Sequence, residues 1–225
     1  MTLALWLAVT IVLYLASRRL YERTRVAVLN PALVCIAAII ALLVLTRTPY
    51  PEYQRAGRLI GFWLGPAVVA LGVPLALQLE TVRRNATAIA LGLLAGALVG
   101  IAVAVGVATL FGASPIVVRS LAPRAATTPI AVAVTARLGG IPALSAVVSI
   151  VSGAVGGFIG IGILRAVGVQ SRLATGLALG AAAHGLGTAR AAGEGDVEGA
   201  SAGMAMGVVG VLTALLAPFV VSLFV

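Results

Sequence analysis

The residues best suited to chemistry lie in the stretch over 121–142, which carries three prolines, two arginines and three threonines within a very apolar chain. Thr127, Thr128 and Pro129 predict a helix start, because hydroxyl side chains cap helices and proline fits the first helical position. Pro123 predicts a break just before that helix. A helix that starts inside a membrane presents unpaired N–H groups and its positive dipole end in a medium of low dielectric constant. We therefore predict a site for a small anion at residues 127–129.

A second candidate is His184, the single histidine of the chain, which lies within AAAHGLGTAR. An ionisable side chain in a membrane interior predicts a functional role, and an unperturbed pKa of about 6.5 would suit proton coupling. A structural hydrogen bond between helices is an equally good interpretation. Gly185 and Gly187 would allow a tight backbone, and Thr188 would supply a hydroxyl donor.

Two arginines, Arg190 and Arg124, could bind the carboxylate group of a substrate. A guanidinium can pair with a carboxylate through two parallel hydrogen bonds. Arg190 follows His184 closely enough for both to serve one broken helix. The alternative for Arg190 is a place at the membrane edge beside Glu194, and the same alternative holds for Arg124.

Composition indicates an all-α polytopic membrane protein. Of the 225 residues, 61% are hydrophobic and 9% are charged, whereas soluble domains are about 45–50% apolar and about 25% charged. The apolar runs are continuous and long, which excludes the alternating pattern of a barrel. The net charge of +9 comes entirely from arginines that lie singly or in small groups between apolar segments, so we predict no nucleic-acid partner. With one cysteine and one histidine, we expect no metal site and no intrachain disulfide, and we expect no cofactor.

About eight hydrophobic segments can be recognised, and two or three of them carry residues that break a helix. We expect breaks at Gly65, Pro66 and Pro74 as well as at Pro123. Residues 47–58 predict a polar, turn-rich loop, and the acidic residues of 194–198 predict a solvated loop. The segments lie at about 3–17, 31–45, 59–80, 86–111, 121–142, 141–166, 173–191 and 201–224.

Glycines recur along two of these segments, over 92–106 and 153–162, and predict faces on which helices pack closely. Pro74 and Pro129 each open a short apolar helix that is followed by a charged turn and a glycine-rich span. This weak similarity is typical of transporters built from repeats, and the repeats could be inverted or parallel. We expect one transmembrane domain over 1–225. If all eight segments span the membrane, the arginines divide 8 to 7 between the two sides, so they do not predict an orientation.

Several motifs together resemble the LrgB/CidB family, including its YohK-type members. The resemblance covers nearly the whole chain, and the motifs occur in the family's order. They are Asn30-Pro31, PAVVAL at 66–71, VPL at 73–75, ASP at 113–115, TTPIA at 127–131, GGIP at 139–142, HGLGTAR at 184–190 and GMAMG at 203–207.

The resemblance implies two kinds of function. Bacterial members are described as antiholin-like regulators of murein hydrolase activity and lysis that work with a small LrgA/CidA-type membrane protein. The plant chloroplast relative fuses both parts and exports glycolate and glycerate, and bacterial pairs have been linked to pyruvate. The resemblance also implies a bacterial inner membrane location and, by analogy with elevator-type carriers, a homodimer.

This chain departs from the family pattern at polar positions. Where many relatives resemble KSVTTPIA, this chain has Arg124-Ala125-Ala126 before Thr127. Where relatives resemble ASHA, it has AAHG at 182–185. A tyrosine that often follows the VPL triplet is Ala76 here. Two hydroxyls and a phenol near the expected site are therefore missing.

We expect a secondary transporter of small monocarboxylates such as glycolate, glycerate, lactate or pyruvate, which could be coupled to protons. The alternative is an antiholin-like regulator that assembles with an LrgA/CidA-type partner through its glycine-rich helices. The broken helices favour the transporter, because a partner-binding protein does not need helix starts inside the membrane. An intramembrane enzyme is not expected, since the sequence offers no nucleophile–base pair and no cluster of metal ligands.

Overall fold

The computed structural model describes residues 3–24, 29, 31–63, 66, 76 and 79–225. These residues form ten helices and no strand, which confirms the expectation of an all-α membrane protein. They divide into two compact units, Met1–Ala70 and Leu71–Val225. Among the described helices, four are long and apolar enough to cross a membrane: Leu3–Thr24, Ala86–Leu110, Pro142–Ala166 and Asp196–Val221.

The first unit contains α1 (Leu3–Thr24), α2 (Pro31–Leu45) and α3 (Tyr50–Phe62). Trp6 is fully buried and meets the ring of Tyr53 edge-on, with 5.5 Å between centroids. The hydroxyls of Thr10 and Tyr53 lie 3.3 Å apart, so α1 and α3 share a small polar contact.

The expected loop over 47–58 is wrong for most of its length, because α3 begins at Tyr50. Pro49 is the N-cap residue and Pro51 lies in the first turn, where a missing N–H has no cost. Turn-forming prolines therefore open a helix here. Of the breaks expected farther on, Gly65 and Pro74 lie outside the described residues, and Pro66 is described only as a single helical residue.

The second unit contains the remaining seven helices. They are α4 (Leu79–Arg84), α5 (Ala86–Leu110), α6 (Pro115–Leu121), α7 (Thr128–Leu138), α8 (Pro142–Ala166), α9 (Arg172–Ala192) and α10 (Asp196–Val221).

Helices α6 and α7 form a hairpin that enters the unit and returns to the side where it began. The turn between them, 122–127, contains the buried Pro123 and reaches Gly100 of α5, where a Cβ would lie 3.8 Å from that of Ala125. Gly100 is about 15 Å along the helix axis from the end of α5. After α7, the backbone N–H of Ile141 donates to Ser120 Oγ at 2.7 Å, so the chain has come back to α6.

Helix α9 is also a hairpin, and its turn is at His184. The φ and ψ angles of His184 are 38° and −126°, far from helical values. A Cβ added to Gly187 would collide with the carbonyl oxygen of Leu179 and lie 2.7 Å from the Cβ of Ala183. Residues eight apart in a straight helix are about 12 Å apart along its axis. The first arm, 172–183, and the second arm, 185–192, must therefore fold back on each other.

The two hairpins enter the unit from opposite sides. Helix α5 ends where the α6–α7 hairpin begins, and α8 ends where the α9 hairpin begins. Helix α8 runs from the outer end of the first hairpin to the base of the second, where Arg165 pairs with Glu194 at 3.1 Å. A long helix followed by a hairpin thus occurs twice with opposite direction, which is the arrangement of an inverted repeat.

Small residues allow α8, α9 and α10 to pack closely. A Cβ on Gly156 would lie 2.8 Å from that of Ala183, and a Cβ on Gly180 would lie 2.7 Å from the carbonyl carbon of Ala202. Gly153, Gly156, Gly157 and Gly160 of α8 therefore pack against the hairpin as predicted, whereas Gly162 has no atom within 4 Å of an added Cβ. The prediction is wrong for Gly92 and Gly96 of α5, which have no atom within 4 Å of an added Cβ and line a cavity instead.

Candidate functional site

The tips of the two hairpins meet at Ser149 in the first half of α8. The hydroxyl of Ser149 donates to the carbonyl of Ala126, in the tip of the first hairpin, at 2.8 Å. The imidazole Nε2 of His184, in the tip of the second, lies 2.9 Å from the carbonyl oxygen of Ser149 and 3.4 Å from its hydroxyl. Ser149 and His184 are both buried. One residue of a continuous helix thus connects two helix interruptions from opposite sides of the unit.

His184 holds a backbone conformation that only glycine adopts easily. A φ of 38° in a side-chain-bearing residue costs about 1–3 kcal/mol and persists where the surroundings enforce it. Gly153 of α8 provides the space, because a Cβ there would lie 2.7 Å from Nε2 of His184. The hydroxyl of Thr188 donates to the carbonyl of His184 at 2.8 Å, which fixes the start of the second arm. The surrounding contacts therefore hold both the imidazole and the turn.

Arg124 is half-buried beside both tips. Its Nη1 donates to the hydroxyl of Ser152, one turn beyond Ser149 on α8, at 3.0 Å. Arg124 and Ala182 line the same two cavities, which places the guanidinium near the residues that precede the turn at His184. Among the described residues, no carboxylate forms an ion pair with Arg124. A cation without a carboxylate partner in an apolar unit is suited to bind an anion.

The larger of the cavities bordered by Arg124 has a volume of about 640 Å³ and lies between α5 and the first arm of α9. Asn85 and Ser171, at the starts of these two helices, line its outer end, and Arg124 lines its inner end. The other lining residues are apolar or glycine: Ala88, Ile89, Gly92, Leu93, Gly96, Val99, Gly100, Ala125, Leu173, Ala174, Leu177, Ala178, Ala181 and Ala182.

The predicted helix start at Thr128 is present, but it lacks the predicted side-chain cap. Thr127 is the N-cap residue and Pro129 lies in the first turn, yet the Thr127 hydroxyl makes no capping hydrogen bond. The first N–H groups of α7 are therefore left without that partner. Thr127 and Thr128 are half-buried and Pro129 is exposed, where it lines a groove with Ile130.

The glycines after His184 differ from each other in their surroundings. Gly185 is exposed, and an added Cβ would meet nothing within 4 Å. Gly187 is buried against the backbone of the first arm and is needed for the hairpin to close. The second arm begins after His184, whose backbone angles are not helical, so its start lies at the tip of the hairpin. Two helix starts thus lie at the tips that Ser149 connects.

Arg190 lies away from the tips, at the base of the α9 hairpin. It pairs with Glu194 at 2.8 Å, and Glu194 also pairs with Arg165 of α8. This position agrees with the alternative that places Arg190 at the membrane edge beside Glu194.

The prediction of a solvated loop over 194–198 is wrong for Glu198, whose side chain is only 8% exposed and accepts two hydrogen bonds from Arg172, at 2.8 and 3.0 Å. The bidentate fork of Arg172 compensates the buried carboxylate.

The serines of α8 are the main residues that the sequence analysis missed. Ser145, Ser149 and Ser152 recur at spacings of four and three within an apolar helix, so they share one face. That periodicity is a signal for a polar stripe, although it does not reveal which residues the stripe contacts. Ser149 and Ser152 contact Ala126, His184 and Arg124, and they bring the predicted residues together.

Most of the chain is similar to known proteins of one family. The model of the LrgB-like family matches residues 10–223. The chain is 32% identical over 216 residues to the uncharacterized protein YwbG of Bacillus subtilis, covering 96% of each protein. It is 32% identical over 221 residues to the holin-like protein CidB of Staphylococcus epidermidis, covering 98% of this chain and 96% of CidB.

A third relative is the antiholin-like protein LrgB of Bacillus cereus, which is 33% identical over 189 residues, covering 84% of this chain and 82% of LrgB. No solved structure gives a significant match.

Proposed function

Because this chain belongs to the LrgB-like family, we propose that it takes part in holin-like or antiholin-like control of cell lysis, together with an LrgA/CidA-type membrane protein in the bacterial inner membrane. The observation that supports this proposal is the similarity to CidB and LrgB, which extends over most of each chain. The names of these relatives support lysis control more directly than they support transport.

A lysis role predicts a change in autolysis when the chain is expressed with its partner. We would delete the gene, restore it with and without the partner gene, and follow the loss of turbidity in detergent-treated cells. Rates that differ from the deletion strain only when the partner is present support the proposal. Rates that stay at the deletion value in both strains contradict it.

A second candidate function is a carrier for small monocarboxylates, and the meeting of two oppositely directed hairpins at Ser149 favours it. A contact face for another protein does not require helix starts inside the unit, whereas an anion site can use their N–H groups and positive dipole ends. Arg124 would pair with the carboxylate, and the N–H groups that begin α7 and the second arm of α9 would stabilise its charge. The two functions are compatible, because a flux of carboxylates could itself alter lysis.

His184 would act in this carrier by fixing the geometry of the tip. Its Nε2 donates to the Ser149 carbonyl, so the ring connects the second hairpin to the helix that also contacts the first. The substrate would bind between the tips, and movement of one hairpin against α8 would expose it to either side.

Uptake into liposomes separates the two functions. The purified chain would be reconstituted with and without the LrgA/CidA-type partner, and labelled glycolate, lactate and pyruvate would be followed under an imposed pH gradient. Saturable uptake that Arg124→Gln and His184→Ala abolish supports a carrier. If no acid is taken up with the partner present, while autolysis still responds to the wild-type chain, the lysis role stands alone.

A further inference from the structure

We propose that the site prefers aliphatic monocarboxylates of about four to six carbons over two- and three-carbon hydroxy acids, given the size and lining of its cavity. The carboxylate would bind Arg124, and the aliphatic tail would lie in the cavity between α5 and the first arm of α9. This inference rests on the carrier function proposed above and specifies its substrate class.

The charge of the site is concentrated at one end of the cavity. Among the described residues, Arg124 is the one charged residue that lines it, and the other polar side chains, Asn85 and Ser171, lie at the outer end. Between these ends the described lining residues are apolar or glycine. An occupant that matches this pattern has one negative group and an apolar body.

The apolar walls disfavour hydroxyl groups on the substrate. A hydroxyl that leaves water without finding a hydrogen-bond partner loses about 1–3 kcal/mol, which corresponds to about a fivefold to hundredfold loss of affinity. Ala125 and Ala182 border the space around Arg124 and cannot donate or accept hydrogen bonds with their side chains. Glycolate and glycerate would therefore bind less tightly than acids of the same size without hydroxyls.

The volume of the cavity favours a longer tail. At about 640 Å³, it lies within the range of about 300–1,000 Å³ that holds drug-sized ligands, and a three-carbon acid would leave most of it empty. Gly100, beside the tip that carries Arg124, is one turn from Gly96. This distance is about 5–6 Å, the length of about four methylene groups, so a tail of that length would reach Gly96.

Equilibrium binding to the purified full chain in nanodiscs tests the proposal. The probes are labelled acetate, butyrate, hexanoate, glycolate and glycerate. Each added methylene should strengthen binding about fourfold, the fold-change that corresponds to about 0.8 kcal/mol. Butyrate should also bind more tightly than glycerate.

Gly96→Val is the informative variant, because an added Cβ meets no protein atom within 4 Å and Gly96 lines the cavity. It should displace two to three methylenes of hexanoate and so weaken hexanoate binding about 15- to 60-fold, and it should change acetate binding less than about twofold. Gly162→Val on α8 is the matched control, since Gly162 has similar open space and does not line this cavity. Arg124→Gln should weaken all acids by a similar factor.

The outcomes distinguish this inference from the carrier function. The inference is supported if affinity rises with the number of carbons in the acid and if Gly96→Val weakens the binding of hexanoate but not of acetate. Tighter binding of glycolate or glycerate than of butyrate overturns it and leaves the carrier function standing. If none of the acids binds, the carrier function fails and the substrate class fails with it.

Discussion

At the scale of single residues, Ser149 connects the tips of the two hairpins. Its hydroxyl and carbonyl contact both hairpin tips, so its two polar groups position two separate chain segments. Ser149→Ala removes the bond to Ala126 and preserves the carbonyl that His184 uses. We expect a loss of about 1 kcal/mol in stability and a larger relative loss of carboxylate uptake.

The measurement is uptake per unit of folded protein, with Ser114→Ala as the matched control. Ser114 is exposed at the start of α6 and makes no capping hydrogen bond, so its variant should behave as wild type. Normal uptake by Ser149→Ala would show that the contact between the tips is not needed for transport.

Gly153 leads to a second prediction at this scale. Gly153→Ala would place a methyl group 2.7 Å from Nε2 of His184, so the ring must leave its hydrogen-bonded position. Overpacking of this kind costs about 1–3 kcal/mol, which exceeds the gain of up to about 1 kcal/mol from replacing a helical glycine by alanine. The melting temperature in detergent should fall for Gly153→Ala and stay the same or rise for Gly162→Ala, where the space is open. Equal melting temperatures for the two variants would contradict the assigned position of His184.

At the scale of helices, the α9 hairpin depends on backbone contacts that cannot adjust. A Cβ on Gly180 would collide with the carbonyl oxygen of Ala202 on α10. A carbonyl within a helix cannot move as a flexible side chain can, so we expect Gly180→Ala to cost more than about 3 kcal/mol. The folded fraction after detergent extraction should drop severely, whereas Gly92→Ala, in open space on α5, should extract like wild type. Normal extraction of Gly180→Ala would mean that the arm packs elsewhere.

Much of the two hairpins could be predicted from sequence where the determinants are local. Proline and threonine chemistry indicates the helix start at Thr128, and the glycines around His184 indicate an irregular span. The reversal of the chain at His184 could not be predicted, since the left-handed φ falls on the histidine and not on a neighbouring glycine. The position depends on tertiary contacts with Gly153 and Ser149, which no local pattern encodes.

The cavity and the buried Glu198 were missed for a similar physical reason. A glycine stripe such as Gly92, Gly96 and Gly100 can equally well accept a neighbouring helix or leave an open space, and only the packed structure decides. A short acidic run near a helix start is usually solvated, and the partner that buries Glu198 is Arg172, far away in sequence.

At the scale of the molecule, the inverted arrangement of the second unit predicts which loops share a membrane face. Ser114 and Ser222 lie at the same end of the unit, near the ends of α5 and α10, and Ser171 lies at the opposite end. With the buried Cys35 replaced by alanine, a single cysteine at Ser114 or Ser222 should react with an impermeant maleimide from one side of sealed vesicles. A single cysteine at Ser171 should react only from the other side.

The matched control is the same labelling after the vesicles are opened with detergent, when all three cysteines should react. Labelling of Ser114→Cys and Ser171→Cys from the same side of sealed vesicles would overturn the inverted repeat. The residues are exposed in the structure, so failure to react in detergent would also contradict their assigned positions.

The ion pairs at the base of the α9 hairpin have a consequence for its response to salt. At this base, Glu194 pairs with Arg165 and Arg190, and Glu198 pairs with Arg172. These arginines are substantially exposed, and pairs of this kind weaken as dissolved ions screen them over a Debye length of about 8–10 Å. Rising ionic strength should therefore weaken the two pairs of Glu194 more than the bidentate pair of the buried Glu198.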